Sequence, residues 1–126
     1  PGKVLFSQKF YAACKRCLNE GGVLVTQNGV PIFQTGELTS TVAKFRRLFA
    51  DATCYVAAIP TYVGGHLAMG FATDDRRLRR QPVKALAARY RKAGSFGTKY
   101  WTPDVHVAAF ALPRFIADVV AKANPA

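Results

Sequence analysis

Acidic residues are scarce in this sequence: seven Asp and Glu stand against eighteen Lys and Arg in 126 residues, a formal net charge of +11. Between Arg76 and Lys99 there are none, although nine of the eighteen cations fall there. The stretch between Asp51 and Asp74 is equally free of carboxylates, so a cationic ligand finds no counter-charge in the middle of the chain. No apolar run approaches the roughly 20 residues that a spanning helix needs, and no membrane partner is expected. Cysteine is limited to Cys14, Cys17 and Cys54. With no second pair and no histidine cluster near Cys14-Lys-Arg-Cys17, small helix residues are favoured over a metal or redox site. An odd cysteine count points to a reducing, cytoplasmic compartment. Methionine occurs once, at Met69, and the sequence opens on Pro1; a processed piece or fragment is the expectation.

What the chain does have is centred on Ile59-Pro60-Thr61-Tyr62-Val63-Gly64-Gly65, a turn between two apolar runs, Ala52 to Ile59 and Leu67 to Thr73. Both read as buried strands. About seven residues join them, too few for a parallel crossover, so they are expected to be antiparallel neighbours. Pro60 ends the first strand by withholding a donor, and Gly64-Gly65 permits a sharp turn or a close approach to a ligand. Tyr62 then either covers the sheet edge or projects its phenol into a site.

Before this turn, Ser7 is a plausible N-cap for a helix through Leu18 with Phe10, Cys14 and Cys17-Leu18 on one face, after an irregular start from Pro1 to Val4. Val23 to Gln27 reads as a strand buried on both faces, as in a parallel sheet. From Glu37 to Ala50 the positions Leu38, Val42, Phe45, Leu48 and Phe49 recur at helical spacing. The order helix, strand, helix, strand, strand predicts an α/β fold: helices over a mostly parallel sheet that ends in an antiparallel strand pair. Beyond Asp74-Asp75 a basic helix from about Pro82 to Ala93 carries Val83, Leu86, Ala87 and Tyr90 as its stripe. Two short helices, Val105 to Leu112 and Phe115 to Val120, are separated at Pro113. The basic block is open to two readings, a solvated face or a surface for nucleic acid with Tyr90, Phe96, Tyr100 or Trp101 stacking on bases.

Several blocks resemble one family. Leu5-Phe6 with Phe10-Tyr11, CKRCLNEGGVLVTQNG (14–29), AAIPTYVGGHLAMGFATD (57–74) and PDVHVAAFALPRF (103–115) are similar to the polyamine aminopropyltransferases, bacterial-type spermidine synthases in particular. The resemblance implies the C-terminal half of a Rossmann-like, methyltransferase-type doubly wound sheet with C-terminal helices. Residues 1–126 are then the C-terminal part of a single catalytic domain, with about 1–75 as sheet and covering helices and about 76–126 as the basic and C-terminal helices. The nucleoside-binding half has no counterpart in these residues.

The same resemblance implies transfer of the aminopropyl group of decarboxylated S-adenosylmethionine to putrescine, giving spermidine and methylthioadenosine, with no metal and no cofactor beyond the co-substrate. Tyr62 would line the diamine site, with Pro60 and Gln27 as weaker candidates. Pro1 and Leu5 would meet the nucleoside. No catalytic residue falls in this chain, the family's catalytic aspartate being expected just before Pro1. The implied partners are the enzyme's N-terminal half, acidic by charge balance, and further copies in a dimer or tetramer, with no nucleic acid. Val63 and His66 depart from the family's usual residues. An inactive relative of the same family is the further alternative. His106 reads as a packed, hydrogen-bonded histidine rather than a proton carrier.

Overall fold

Strand β3 (His66–Thr73) lies between β1 (Val23–Gln27) and β2 (Asp51–Ala58), antiparallel to both. The computed structural model describes residues 2–124. A 3-10 turn over Gly2–Phe6 replaces the irregular start expected there, and α1 (Gln8–Cys17) precedes β1. Helix α2 (Thr35–Leu48) joins β1 to β2; α3 (Val83–Lys92), α4 (Pro103–Ala108) and α5 (Arg114–Ala121) follow the sheet. The expected α/β order, the antiparallel β2–β3 pair and the C-terminal helices are all present.

Residues that are paired across the ladders share a face, and that alternation builds the core. Cys54, Ala68 and Ala72 face α1, α2 and α5, where Leu38, Val42, Ile116 and Val120 form one buried cluster and Tyr11, Phe45 and Phe49 another. Small residues on the strands let the helices sit close, and each fully buried Leu or Phe contributes about 1.5–3 kcal/mol. The opposite face carries Tyr55 and Phe71, which meet Phe110 tilted and edge-on at ring separations of 5.5 and 5.2 Å.

Two expectations about local burial are corrected. Strand β1 is not buried on both faces: Val23 and Val25 are 37% and 42% exposed, and its ladder is the antiparallel one to β3. A continuous apolar run is buried on both sides only when both faces are covered, and among the described residues only Leu24 of the three meets a packed cluster. On α1 Phe10 and Leu18 of the expected face do pack on the core, but the fully buried residue is Tyr11, and Cys17 is exposed. Tyr11 wins because its ring meets Phe45 edge-on at 4.8 Å and its hydroxyl lies 3.3 Å from that of Thr41. Ser7 caps the helix as expected, accepting from the Phe10 N–H.

The two outer edges of the sheet differ. On β2 the Val56 N–H donates to the Ala109 carbonyl (3.0 Å) and the Ala58 N–H to the Tyr100 hydroxyl (2.8 Å). On β1 the outer edge has no strand partner among the described residues.

The basic block is not uniformly a solvated face. Arg79 forks onto Asp51 at 2.6 and 2.9 Å, with both side chains less than a third exposed, while Arg76, Arg80, Lys84 and Arg89 are exposed. Arg77 pairs with Asp75 and holds its carboxyl down at about 2. Tyr90 meets Phe96 edge-on at 5.2 Å and Trp101 at a tilt at 5.1 Å, while Phe96 and Tyr100 stay 70% and 55% exposed.

Two outcomes follow from these contacts. Arg79→Gln should lower the unfolding free energy of the chain by about 1–3 kcal/mol in urea titrations, because it leaves a half-buried carboxylate short of its bidentate donor. Arg76→Gln and Arg80→Gln should stay within about 0.5 kcal/mol. Burial raises the Cys54 thiol from near 9 to about 12, so the unfolded chain loses that proton at lower pH than the native one does. Between about pH 9 and 12 the native protein should therefore lose about 1.4 kcal/mol per pH unit more than Cys54→Ala loses; equal slopes would refute the burial of an un-ionised thiol.

Candidate functional site

The carboxyl ends of β1 and β2 fall at the same end of the sheet, because both strands run opposite to β3. Gln27 closes β1 there, and the Ile59–Gly65 turn leaves β2 beside it. The turn is tied to itself: Ile59 N–H donates to the Gly65 carbonyl (2.8 Å), Tyr62 N–H to that of Ile59 and Gly65 N–H to that of Tyr62 (both 3.0 Å). Gly64 and Gly65 have φ of 90° and 70°, values that a side chain rarely tolerates. At Gly64 a Cβ would also press on Val30 at 3.2 Å.

This backbone leaves Tyr62 45% exposed, and the Gln27 side-chain N–H donates to its hydroxyl at 3.4 Å. Two residues 35 positions apart that the sequence singled out therefore meet. Pro60 stands exposed in the same turn. Leu5 is exposed in the opening 3-10 turn, which is anchored to α2 through donation from the Lys44 ammonium to the Phe6 carbonyl at 2.7 Å. Pro1 lies outside the described residues.

The carboxylates that flank β2 and β3 lie away from this end. Asp51 is opposite Thr73 in the β2–β3 register, at the far end of the ladder from Ala58 and His66, roughly 20 Å away at strand rise. Asp51 is held by Arg79 and Asp74 by Lys15 at 2.8 Å. The Lys15 hydrogen bond is the main reason that the Asp74 carboxyl ionises below its usual range. Tyr62 and Gln27 thus offer side-chain oxygens, and neither Asp51 nor Asp74 lies beside them.

Next to the turn a cavity of about 600 Å³ is lined by Val30, Phe33, Ala58, His66, Tyr100 and Phe115, among others. Sequence reasoning placed neither Phe33 nor Tyr100 there; an aromatic in a polar connection carries no periodic signal. His66 is exposed at its rim. His106 is a packed histidine as expected: the Trp101 ring N–H donates to its Nδ1 at 3.1 Å, and burial lowers its pKa, so that the neutral ring is favoured. Among the described residues no group of three His, Cys, Asp or Glu is placed to hold a metal ion.

Comparison with known proteins adds an independent line. Residues 1–82 match the model of the spermine/spermidine synthase domain. The chain is 48% identical over 122 residues to polyamine aminopropyltransferase 1 of Pseudomonas aeruginosa, covering 97% of this chain and 42% of that protein. It is 50% identical over 116 residues to the polyamine aminopropyltransferase of Ruegeria sp., covering 92% and 40%. Among solved structures, spermidine synthase from Thermotoga maritima superposes with a TM-score of 0.81 at 27% identity, covering 96% of this chain and 40% of that one. A spermidine synthase in complex with the transition-state analogue AdoDATO gives 0.78 at 27% identity, with 93% and 40% covered. The chain spans about two fifths of the length of the curated relatives it matches.

Proposed function

The chain belongs to the spermine/spermidine synthase family, and from that premise we propose that it supplies the diamine-facing wall of an enzyme that transfers the aminopropyl group of decarboxylated S-adenosylmethionine to putrescine. It acts as the C-terminal part of one catalytic domain, about 1–75 as sheet and covering helices and 76–126 as the basic and C-terminal helices. The observation that carries the reading is the meeting of Tyr62 and Gln27 at the carboxyl ends of the strands, where open α/β sheets take their ligands.

The reaction is a displacement at carbon. A neutral amine nitrogen attacks the carbon next to the sulfonium, the carbon–sulfur bond breaks, and sulfur keeps the electron pair as the thioether of methylthioadenosine. The new ammonium of spermidine gives up a proton. Tyr62 and Gln27 supply oxygen lone pairs to a diamine N–H, which donates in both the neutral and the charged form and most strongly as the ammonium. Their mutual contact is long enough at 3.4 Å for an amine to take its place at little cost. Pro60 stiffens the turn that presents Tyr62, while Pro1 and Leu5 belong to the nucleoside side of the same reading.

Two cationic substrates need carboxylates to hold and deprotonate the amine. With Asp51 and Asp74 committed to Arg79 and Lys15, those carboxylates come from the nucleoside-binding half. That half pairs on the open edge of β1 and is acidic, complementing a charge of +11. Assembly into a homo-oligomer and a cytoplasmic place complete the reading.

Two measurements test it. The chain mixed with the portion of the Pseudomonas aeruginosa relative that it does not cover should release methylthioadenosine from decarboxylated S-adenosylmethionine and putrescine, whereas the chain alone should not. Turnover by the isolated chain would sink the half-site argument. In the active pair, Tyr62→Phe should lower kcat/KM for putrescine by roughly ten- to a hundredfold, the loss of one hydrogen bond to a charged group, with the KM for the nucleoside substrate nearly unchanged. Unaltered putrescine kinetics would return Tyr62 to a loop residue that covers the sheet edge.

A further inference from the structure

Directly after Gln27, Asn28 is fully buried and joins three elements through one carboxamide. Its oxygen accepts from the Gly70 N–H of β3 (3.0 Å) and from the Thr26 hydroxyl (2.8 Å). Its Nδ2 donates to the Thr41 hydroxyl of α2 (2.8 Å), which lies 3.3 Å from the Tyr11 hydroxyl of α1. A buried amide that is bonded to two other elements has little freedom to rotate, and freeing any partner leaves a polar group without water.

A second observation concerns Gly70. A Cβ there would stand 2.5 Å from the Asn28 oxygen and 2.6 Å from the Thr26 hydroxyl, so the carboxamide occupies space that only glycine leaves. A third is the ladder at this point: Asn28 N–H donates to the Ala68 carbonyl, but Ala68 N–H returns to Gly29 rather than to Asn28, both at 2.9 Å. Two residues thus oppose one, with Gly29 at φ 70°. That is a bulge, a device that redirects the strand and its side chains.

We propose that Asn28 is a positioning residue for the diamine site: seated in the gap at Gly70, it fixes the angle at which β1 leaves the sheet and so holds Gln27 against Tyr62. Gln27 and Asn28 are neighbours on opposite faces of the strand, so a rotation of the backbone at the bulge swings the Gln27 amide away from the turn. Asn28 itself touches no substrate. The inference rests on the diamine-site reading above, but its geometric half is measurable without catalysis.

The test uses Asn28→Ala and, because that variant removes several bonds and can fail to fold, Thr41→Val, which nearly keeps the volume and removes the acceptor of the Asn28 amide together with the Tyr11 contact, while leaving the Gly70 and Thr26 bonds to Asn28 in place. Crystal structures of the variant chains report the separation of Gln27 Nε2 from the Tyr62 hydroxyl, and kinetics in the active pair report KM for each substrate. The expected result is a separation beyond hydrogen-bond reach, with KM for putrescine raised about tenfold in Asn28→Ala and about threefold in Thr41→Val, the scale of lost polar contacts. KM for decarboxylated S-adenosylmethionine, and kcat, should stay within about twofold. A lower melting temperature with the 3.4 Å contact and both KM values retained would make the network merely structural and overturn the proposal. So would a KM shift without a lost contact, or a lost contact without a KM shift. If the wild-type pair consumes no putrescine, the functional reading fails by itself, and the separation alone decides whether Asn28 aims Gln27.

Discussion

Placing β3 antiparallel between two strands that run the same way is the constraint on which the rest depends. It brings the carboxyl ends of β1 and β2 to one end of the sheet, and with them Gln27 and the Tyr62 turn. It also puts β3 in the middle, where seven of its eight residues are shielded from full exposure and alanine and glycine side chains let helices and a buried amide come close. The same arrangement sends the opposite ends of the strands to where Asp51, Asp74, Arg79 and Lys15 gather. Chemistry-bearing neutral groups and charged structural pairs are thus separated by the length of a strand.

On the proposed reading, that separation is how so basic a chain can hold a site for cations. The exposed cations of α3 act through a screened field that decays within about 10 Å at ordinary ionic strength, whereas Tyr62 and Gln27 act by direct contact. Carboxylates placed beside them by the chain's own strands would have stood at the edge of an apolar turn, at a desolvation cost. A division in which one part of a domain brings lone pairs and another brings charge avoids that cost until the two parts meet.

Most elements were legible in the sequence, because they follow from periodicity and punctuation. The Ser7 cap, the 3.6-residue spacing of Leu38, Val42 and Phe45, and the proline and glycines around Tyr62 each dictate a local structure. The face of α1 was misread in part, at Tyr11 and Cys17, because Phe10, Tyr11, Cys14 and Cys17 are all plausible inward residues, and only the ring of Phe45, 34 positions away, selects Tyr11. Strand β1 was misread because VLV shows that a strand is apolar without showing what covers it. Gln27 and Tyr62 were singled out separately, but their contact depends on the bulge at Asn28 and Gly29, and nothing in the residue types there distinguishes a bulge from an ordinary turn. The role of Gly70 was equally silent: an isolated glycine in a strand signals a close approach without naming what approaches.

The unequal edges of the sheet have a consequence for growth. On β2, the Ala109 carbonyl and the Tyr100 hydroxyl take up two amide hydrogens, which makes that margin a chain stopper. Among the described residues the β1 margin has no strand partner and lies beside exposed valines, a surface that welcomes an extended segment of suitable length. A sheet with one stopped and one receptive margin adds strands in a single direction. Kept apart from a strand that fits, the receptive margin of one copy is the natural template for that of another, and such pairing ends at two copies because each brings only one such margin.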